Sequence, residues 1–495
     1  MNILFIYPRF PVTFWSFKYA LKFISKKASQ PPLGLLTVAA MLPSDWEKRL
    51  IDMNVSKIKD KDILWADYVF ISAMSIQRES VNDIINKCKT LRKKIVGGGP
   101  LFTANYEQFE KVDHLVLNEA EITLPLFLED LKNGTPKHLY KSNEWAEIKT
   151  TPAPLWDLIN FRNYAIMNLQ YSRGCPYGCE FCDITVLYGN KPRTKTSEQV
   201  IHELDNLYKA GWRGDIFIVD DNFIGNKKKV KEEILPNIIM WMKSKHHPFT
   251  FNTEASINLA DDVELMDLMV NSGFDTVFVG IESPNEDSLF ECGKSPNKNR
   301  DLVQSVKKIH KHGLQVHAGF IVGFDNDPVS IFDRLSAFIQ ESHIVTAMVG
   351  LLNAPRGTKL YHRLLKEGRL KQTMSGDNTD FSINFEPKMN LQVLINGYQH
   401  ILQTIYAPKQ YYARVKHFLK NYQPGERYTF HFQFNKLSAL FKSIVLLGVV
   451  GKERFHYWKL FFWSLFCRPK LFPQSITFAI YGFHFRKIVE KYIAS

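Results

Sequence analysis

Three cysteines lie within eight residues, in the spacing C-x3-C-x2-C. Thiolates are the protein ligands that iron–sulfur clusters require. Three of them leave one iron of a four-iron cluster without a protein ligand, and that iron can bind a small molecule. Gly174 and Gly178 allow the loop to wrap closely around a cluster. Zinc would require a fourth Cys or His nearby, and the loop contains none. The motif therefore predicts a [4Fe–4S] cluster on Cys175, Cys179 and Cys182.

The elements that must position these cysteines form a series of alternating strands and helices. Six apolar, β-rich runs are predicted strands: Met167–Ser172, Asp215–Val219, Phe249–Thr253, Thr276–Gly280, Gln315–Val322 and Thr346–Leu352. Helical patterns separate them, as in a partial, open (β/α) barrel of six units. Functional groups of such barrels lie at the carboxyl ends of the strands. Because the cysteines follow the first strand directly, we expect them at the mouth of the barrel.

The first 140 residues alternate in the same way. The predicted strands are Ile3–Tyr7, Arg49–Asp52, Tyr68–Ser72, Lys94–Val96 and His114–Leu117. Five strands separated by helical patterns predict a flavodoxin-like, doubly wound parallel sheet, which binds ligands at the carboxyl ends of its strands. A glycine run at 97–99 follows the fourth strand. It either lets the backbone approach a bulky ligand or makes a tight turn.

The length of the chain also indicates several domains. A chain of 495 residues exceeds one ordinary core. We predict four segments: an N-terminal domain over 1–140, a linker over 141–166, the barrel over 167–375 and a mostly helical region over 376–495. In the last segment the pattern predicts helices over 390–414, 437–449 and 455–466, with a strand or extended aromatic arm over 428–434.

Composition and cysteine usage restrict the class of protein. With 45% hydrophobic and 23% charged residues the chain is globular. It has no uncharged apolar stretch of about 18 residues, so no transmembrane helix is expected. The N-terminal run MNILFIYPRF predicts a strand and not a signal peptide. Three crowded and three scattered cysteines do not make a disulfide framework, so a reducing, cytoplasmic location is expected.

Positive charge is concentrated at the carboxyl end. Residues 409–495 hold 15 Lys and Arg against three acids, together with 22 of the chain's 66 aromatic residues. Aromatic residues at helical spacing commonly pack a core, but a basic aromatic surface can also contact a membrane or a nucleic acid. The aliphatic run over 444–450 favours peripheral membrane contact and argues against nucleic acid as a partner.

The cysteine loop resembles that of the radical S-adenosylmethionine superfamily, with Tyr177 and Phe181 at the usual aromatic positions. The resemblance implies that the amino and carboxylate groups of S-adenosylmethionine bind the open iron. An electron, from a donor such as flavodoxin or ferredoxin, then splits the C–S bond into methionine and a 5′-deoxyadenosyl radical.

Two carboxylates and one backbone segment are expected to contact S-adenosylmethionine. Members of the superfamily often carry Gly-Gly-Glu after the second barrel strand, where this chain has Asp220-Asp221-Asn222. The resemblance assigns amino or ribose contacts to Glu254 and Glu282, and leaves backbone carbonyls near Asp220 for the methionine amino group. The alternative for each glutamate is a barrel-mouth carboxylate paired with Lys or Arg.

An N-terminal doubly wound domain ahead of this barrel resembles the cobalamin-binding class of radical enzymes. The matching segments are 31–35, 97–99 and 118–121. The motif Asp-x-His-x-x-Gly, whose histidine ligates cobalt in many cobalamin proteins, does not occur in the sequence. The loop over 72–78 would then face the lower side of cobalt; the alternative is that it caps a helix. The residues that the resemblance assigns to cobalamin are Gly98, Gly99, Glu119, Ser75, Gln77 and Arg78.

The order of the segments, residues 220–227 and the basic tail together resemble the hopanoid methylase group and its uncharacterised relatives. That resemblance implies methyl transfer to an unactivated carbon of an apolar or lipid-like substrate. Two alternatives stay open: a radical cyclase or rearrangement enzyme acting on a porphyrin-like or other apolar substrate, and an RNA- or membrane-binding protein with a structural cluster. A methylthiotransferase is not expected, because the first 140 residues contain one cysteine, Cys88, and cannot hold a second cluster.

Overall fold

Two six-stranded sheets, each parallel throughout, organise the chain in the computed structural model, which describes residues 1–371, 374–377, 379–425 and 434–494. The first sheet has the strand order β2-β1-β3-β4-β5-β6. Its strands are β1 (Asn2–Tyr7), β2 (Glu47–Asp52), β3 (Tyr68–Ser72), β4 (Lys94–Gly98), β5 (His114–Val116) and β6 (Leu139–Tyr140). The intervening helices are α1 (Lys18–Leu21), α2 (Leu33–Met41), α3 (Asp60–Trp65), α4 (Arg78–Thr90), α5 (Pro100–Asn105) and α6 (Ala120–Lys132).

The first sheet confirms the predicted doubly wound class. Its order is the flavodoxin-like one with β6 added at the edge, a strand of two residues that is too short to give a sequence pattern. Residues Ile3–Ile6 of the central strand β1 have no exposed surface. A continuous apolar run is expected here, because helices cover both faces of a parallel sheet.

The second sheet, with the order β14-β13-β12-β11-β10-β7, is the predicted six-stranded partial barrel. The strands of this half are β7 (Met167–Leu169), β8 (Ser172–Arg173), β9 (Arg193–Thr194), β10 (Gly214–Ile218), β11 (Phe249–Glu254), β12 (Phe274–Glu282), β13 (Gln315–Val322) and β14 (Ala347–Leu351). Strands β8 and β9 form a separate antiparallel pair. The helices are α7 (Ile184–Tyr188), α8 (Ser197–Lys209), α9 (Lys227–Lys229), α10 (Leu235–Ser244), α11 (Val263–Ser272), α12 (Glu286–Glu291), α13 (Leu302–Lys311), α14 (Ile331–Glu341) and α15 (Lys359–Lys366).

The carboxyl-terminal region is helical, as predicted. Its helices are α16 (Leu391–Tyr406), α17 (Pro408–Asn421), α18 (Phe434–Ser443), a π-helix (Ile444–Val449), α19 (Arg454–Cys467) and α20 (Phe472–Ala494). The single helix predicted over 390–414 is wrong. Ala407, with φ −57° and ψ 137°, separates two helices because the residue before Pro408 is driven out of the helical region. The arm predicted over 428–434 lies, except for Phe434, outside the described residues.

Aromatic contacts join the segment after β1 to the last helix. The Phe14 ring stacks on Phe485 of α20 with centroids 4.3 Å apart, and it lies 6.2 Å from Tyr406 of α16. His484 Nε2 lies 2.9 Å from the carbonyl oxygen of Phe14. The N-terminal segment and the carboxyl-terminal helices therefore pack together in one core.

Residues 141–166 contain three short 3-10 helices and pack against the first sheet. The Tyr164 hydroxyl donates to Asp52 at 3.0 Å, and the Leu155 amide donates to the Leu36 carbonyl at 3.1 Å. Within the described part of the chain, no helix combines the length and the apolar character that a membrane span requires.

Candidate cluster and cofactor site

The cysteine loop runs from β8 to α7, at the carboxyl end of β7. Cys179 is buried, Cys175 and Cys182 are half-buried, and all three are free thiols. The backbone at Gly174 has φ +91°, and a Cβ there would lie 2.9 Å from the Lys191 carbonyl oxygen. Only glycine fits this position, which brings the start of the loop against the β-turn ahead of β9.

The three thiols suit a cluster better than a single ion. Among the described residues, no group of three or more His, Cys, Asp and Glu side chains converges on one metal position. Cysteines that bind a cluster each bind a different iron, so they need not share such a position. Burial raises the pKa of all three thiols. Binding to iron removes that cost, because a metal stabilises the thiolate.

Asp220 and Asp221 hold the backbone that leads into the cysteine loop. Asp220 accepts hydrogen bonds from the Tyr171 amide at 2.8 Å and the Ser172 hydroxyl at 2.6 Å. Asp221 accepts from the Gly174 amide at 3.1 Å. Burial raises the pKa of Asp220 to about 7 and that of Asp221 to about 6. The Asp220 carboxylate is thus used within the protein, where it fixes the strand before the cluster.

Glu282 forms a buried ion pair with Lys294. Lys294 Nζ lies 2.7 Å from Glu282 Oε1, and both side chains are largely buried. Gly280 makes room for the pair, since a Cβ there would lie within 2.7 Å of Lys294 Nζ. Burial opposes the charge of Lys294, but Glu282 and Cys179 outweigh it and raise the pKa of the ammonium. This pairing is the alternative that the sequence left open for Glu282.

Glu254, at the end of β11, is half-buried, and its carboxylate has no hydrogen-bond or ion-pair partner among the described residues. Burial, followed by the charge of Asp221, raises its pKa to about 8. The charges of Asp221, Lys294 and Glu282 lie near enough to influence its pKa. An enclosed carboxylate without a protein partner is available to a ligand.

An apolar wall lies next to Glu254 on the inner face of the second sheet. The register pairs Glu254 with Phe278 and Gly319 with Met348, and the Phe278 ring lies against Gly319. Trp15 comes to this wall from the segment after β1. Its indole Nε1 lies 2.9 Å from Met348 Sδ, and its ring meets Phe278 edge-on at 5.5 Å. Residues from both halves therefore form this wall together.

The carboxyl edge of the first sheet carries the residues predicted for cobalamin. A Cβ on Gly98 would lie 2.9 Å from the Val116 oxygen, and one on Gly99 would lie 2.5 Å from Ser72 Oγ. The glycines are therefore required by the turn itself. Nearby, Asn118 has φ +62°, and its Oδ1 is buried without a hydrogen-bond partner. This orphaned acceptor fits the amide groups that surround a corrin ring.

The loop after β3 is largely engaged with the protein. The Gln77 side chain is buried and donates to the Pro8 carbonyl at 2.5 Å, and Arg78 Nη1 donates to Gln108 at 2.6 Å. Ser75 is half-buried, and the turn at Gly376 lies against it. Their contacts with cobalamin stay predictions.

Glu119 lies in an ion-pair network between the two halves. Its side chain is 1% exposed and pairs with Arg173 at 2.9 Å and with Arg193 at 2.8 Å. Arg173 also binds Glu121 at 2.8 Å. The structure therefore brings Glu119 toward the cysteine loop, where Arg173 immediately precedes Gly174.

The predicted site residues form two groups. The cysteines lie with Glu254 and Glu282 at the mouth of the barrel, and Gly98, Gly99 and the loop over 72–78 lie at the edge of the first sheet. Several residues at the site were not predicted from the sequence, because no motif contains them: Trp15, Arg173, Arg193 and Lys294.

Comparisons with known proteins identify both halves. Residues 24–128 match the family model of the B12 binding domain, and residues 169–339 match that of the radical SAM superfamily. Residues 358–495 match a domain of unknown function, DUF4070.

Two curated relatives cover most of the chain. An uncharacterised methyltransferase of Synechocystis is 42% identical over 501 residues, which cover 100% of this chain and 93% of that protein. The hopanoid C-2 methylase of Rhodopseudomonas palustris is 34% identical over 389 residues, covering 78% of this chain and 73% of that protein.

Solved structures show the same fold at low identity. The cobalamin-dependent S-adenosylmethionine radical enzyme OxsB has a TM-score of 0.63 at 16% identity, covering 100% of this chain and 80% of that one. The radical S-adenosylmethionine methyltransferase TsrM of Kitasatospora setae, with cobalamin and a [4Fe-4S] cluster bound, has a TM-score of 0.60 at 12% identity, covering 100% of both chains. The predicted resemblance is confirmed: this chain belongs to the cobalamin-dependent radical S-adenosylmethionine methyltransferase family, and its cofactors are a [4Fe–4S] cluster, S-adenosylmethionine and cobalamin.

Proposed function

We propose that the enzyme transfers a methyl group to an unactivated carbon of an apolar, lipid-like substrate. The observation that carries this proposal is the apolar wall of Trp15, Phe278 and Met348. It adjoins Glu254 and lies where the two halves meet, which is the place that a substrate shared by both cofactors must occupy. Large aromatic and thioether side chains favour a substrate with little polar surface.

The barrel mouth supplies the ligands for the cluster and S-adenosylmethionine. In this proposal Cys175, Cys179 and Cys182 hold the cluster, and Glu254 accepts hydrogen bonds from the amino group or the ribose. Lys294 offers a buried cation beside the cysteines, which suits the methionine carboxylate. Asp220 acts through the backbone, because its carboxylate fixes the strand that leads to the loop.

The edge of the first sheet supplies the contacts for cobalamin. Gly98 and Gly99 keep the edge free of side chains, and Asn118 Oδ1 offers an acceptor. In the loop after β3, the side chains of Gln77 and Arg78 form hydrogen bonds within the protein. Ser75 of the same loop is therefore the best candidate to face cobalt. When bound, the cluster supplies the electron that cleaves S-adenosylmethionine, and cobalamin carries the methyl group.

The free thiols and the basic tail indicate where in the cell the enzyme works. All six cysteines are free in the structure, which suits a reducing compartment. We propose a cytoplasmic enzyme that receives electrons from a flavodoxin or ferredoxin and works at a membrane surface.

A labelled-methyl assay tests the reaction. Anaerobically reconstituted enzyme is incubated with cobalamin, a flavodoxin reducing system, S-adenosylmethionine deuterated in its methyl group, and a total lipid extract. We expect 5′-deoxyadenosine together with a lipid that has gained the labelled methyl group.

Two outcomes contradict the proposal in different ways. A product of unchanged mass formed together with 5′-deoxyadenosine would replace methyl transfer by a cyclisation or rearrangement. A labelled product that is water-soluble and absent from the lipid fraction would retain methyl transfer and reject the apolar substrate. Cys179→Ala protein is the control for product formed without the cluster.

A further inference from the structure

Exposed apolar side chains are concentrated on three consecutive helical elements of the carboxyl-terminal region: α18, the π-helix and α19. Phe455 and Phe466, at opposite ends of α19, are 76% and 77% exposed, so they do not pack a core. We call this surface the basic aromatic face. Its exposed apolar members are Leu437, Phe441, Val445, Leu446, Val449, Val450, Phe455, Phe462, Leu465 and Phe466.

Trp458 connects the exposed apolar side chains of α19 with those of the π-helix. Its indole Nε1 donates to the Gly448 carbonyl at 2.9 Å, which ties α19 to the π-helix. Its ring stacks on Phe462 with centroids 5.4 Å apart, and Phe462 in turn stacks on Phe466. The face is therefore continuous, and contiguous exposed apolar surface marks an interaction site.

Packing on the opposite side fixes the outward direction of these residues. The Tyr457 and Ser443 hydroxyls lie 2.8 Å apart, and Phe461 meets Phe472 of α20 edge-on at 4.9 Å. Because Tyr457 and Ser443 are buried and Phe461 is half-buried on this side, Phe455 and Phe462 face outward. The face is a surface of the folded protein rather than an unpacked tail.

The charged residues on and around this face are basic. Lys452, Arg454 and Lys459 are exposed, and Lys459 lies between Phe455 and Phe462 on the same stripe of α19. The one acidic residue between positions 434 and 470 is Glu453, which is buried and ion-paired with Arg486. Nothing on α19 or the π-helix therefore offsets the positive charge.

We infer that the basic aromatic face docks on a lipid bilayer that contains anionic headgroups. Aromatic and aliphatic side chains enter the interface while Lys and Arg remain at headgroup level, as in monotopic amphipathic helices. A second copy of this chain fits less well, since a two-fold contact would oppose basic residues to basic residues.

The face adjoins the segment that carries Trp15 to the apolar wall. Lys442 of α18 donates to the Lys22 carbonyl at 2.9 Å and to Ser25 Oγ at 3.0 Å. The same segment begins beside Phe14 and Trp15. If the substrate is a lipid, as proposed above, docking brings the membrane close to the segment that carries Trp15; docking itself does not depend on that substrate.

Vesicle sedimentation tests the docking directly. Full-length protein is mixed with vesicles of phosphatidylcholine alone or with about a third phosphatidylglycerol, at low and high salt. We expect the wild type to sediment with the anionic vesicles and to be released as salt rises. The triple variant Phe455→Ser/Phe462→Ser/Phe466→Ser should bind at least ~10-fold more weakly, and Lys452→Glu/Lys459→Glu should weaken anionic binding to a similar degree.

Matched controls separate docking from loss of fold. Met240→Ser and Val329→Ser remove apolar side chains that are equally exposed elsewhere, and they should sediment like the wild type. The proposal is overturned if the wild type stays in solution with both vesicle types, or if the triple variant binds equally well. Light scattering that shows a dimer broken by the triple variant, without vesicle binding, would assign the face to a second copy. Methyl transfer to a detergent-dispersed substrate should persist in the triple variant, so failure of docking and failure of the proposed reaction give different results.

Discussion

Arg173 and Glu119 form an ion pair across the two halves of the protein, with Arg173 Nη1 2.9 Å from Glu119 Oε1. Arg173 precedes the cysteine loop by one residue, and Glu119 follows β5 of the first sheet. Arg193 binds the other carboxylate oxygen of Glu119 at 2.8 Å. The pair therefore fixes the position of the cluster loop relative to the edge that is proposed to hold cobalamin.

Removing the charge of Glu119 should destabilise the junction. Glu119→Gln leaves two largely buried guanidinium groups without their shared carboxylate, and breaking a buried ion pair costs roughly 3–5 kcal/mol. We expect a lower unfolding temperature in calorimetry. Glu47→Gln is the control, because its pair with Arg49 is more than half exposed and surface pairs contribute little. Equal unfolding temperatures for the two variants would show that the network does not hold the halves together.

The cysteine assignment predicts a sharp contrast between two buried thiols. Cys179→Ala should lose the iron–sulfur absorbance and all formation of 5′-deoxyadenosine, because a cluster ligand is gone. Cys292→Ala should retain both, although burial, and to a smaller extent the charges of Glu282 and Cys179, raise the pKa of the Cys292 thiol and its backbone carbonyl accepts a hydrogen bond from the Glu180 amide. Iron content and 5′-deoxyadenosine yield are the measurements. Equal losses in both variants would assign Cys292 to the cluster as well.

Lys294 should control the affinity for S-adenosylmethionine. Lys294→Gln removes the buried cation and should raise the KM for S-adenosylmethionine about 10-fold or more, since a charge-assisted contact of roughly 1.5–3 kcal/mol is lost. Iron content should not change. Lys298→Gln is the matched control, because that ammonium lies over the Phe290 ring and away from the ion pair.

The double variant Glu282→Gln/Lys294→Gln distinguishes binding from folding. Lys294→Gln alone leaves the Glu282 carboxylate without its partner and should lower the unfolding temperature. The double variant leaves no unpaired charge, so it should restore the unfolding temperature but not the KM. If the double variant regains both the wild-type unfolding temperature and the wild-type KM, Lys294 is only the ion-pair partner of Glu282 and does not bind S-adenosylmethionine.

Replacing Glu254 should raise the stability of the folded protein and lower its affinity for S-adenosylmethionine. Its folded pKa of about 8 lies above the ordinary value of 4.5, so its ionisation destabilises the fold progressively as pH rises through that window. In the absence of S-adenosylmethionine, Glu254→Gln should therefore unfold at a higher temperature than the wild type at pH 8 and above. The difference in unfolding temperature should disappear toward pH 4.5, and the variant's loss of affinity for S-adenosylmethionine should be largest at high pH, where the wild-type carboxylate is ionised. Thermal unfolding across pH and equilibrium binding measure the two effects, and a pH-independent difference would contradict the assignment.

The sequence was a good guide wherever a local pattern determines the structure. Strands β1 and β13 are apolar runs bounded by helical patterns, and both sheets have the predicted class, with β6 added to the first. Pro408 indicates that a helix ends at Ala407. The apolar periodicity on both sides of this position nevertheless favours one continuous helix, which is why the prediction was wrong. Strand β6, with two residues, forms only because Leu139 pairs with Leu115 of β5.

Contacts between distant segments could not be predicted in the same way. Lys294 follows Glu282 by 12 residues in no recognisable motif, and their pairing depends on the space that Gly280 leaves. Trp15 meets Met348 across 333 positions. Glu119 was predicted from its loop as a cobalamin contact. In the structure it pairs with Arg173. This contact depends on how the two sheets pack against each other, so neither sequence segment indicates it.

The junction between the sheets also has a consequence for the rate at which product leaves. Parting the two halves would break the ion pairs of Glu119 and Arg173 together. In contrast, the segment from Phe14 to Ser25 forms no ion pair among the described residues and is held by ring contacts with α20 and by hydrogen bonds with Lys442 and His484. We therefore expect product to depart sideways, past Trp15, with the two sheets remaining closed. If product release limits the turnover rate, substitutions in the segment from Phe14 to Ser25 should change that rate without changing the rate of the chemical step.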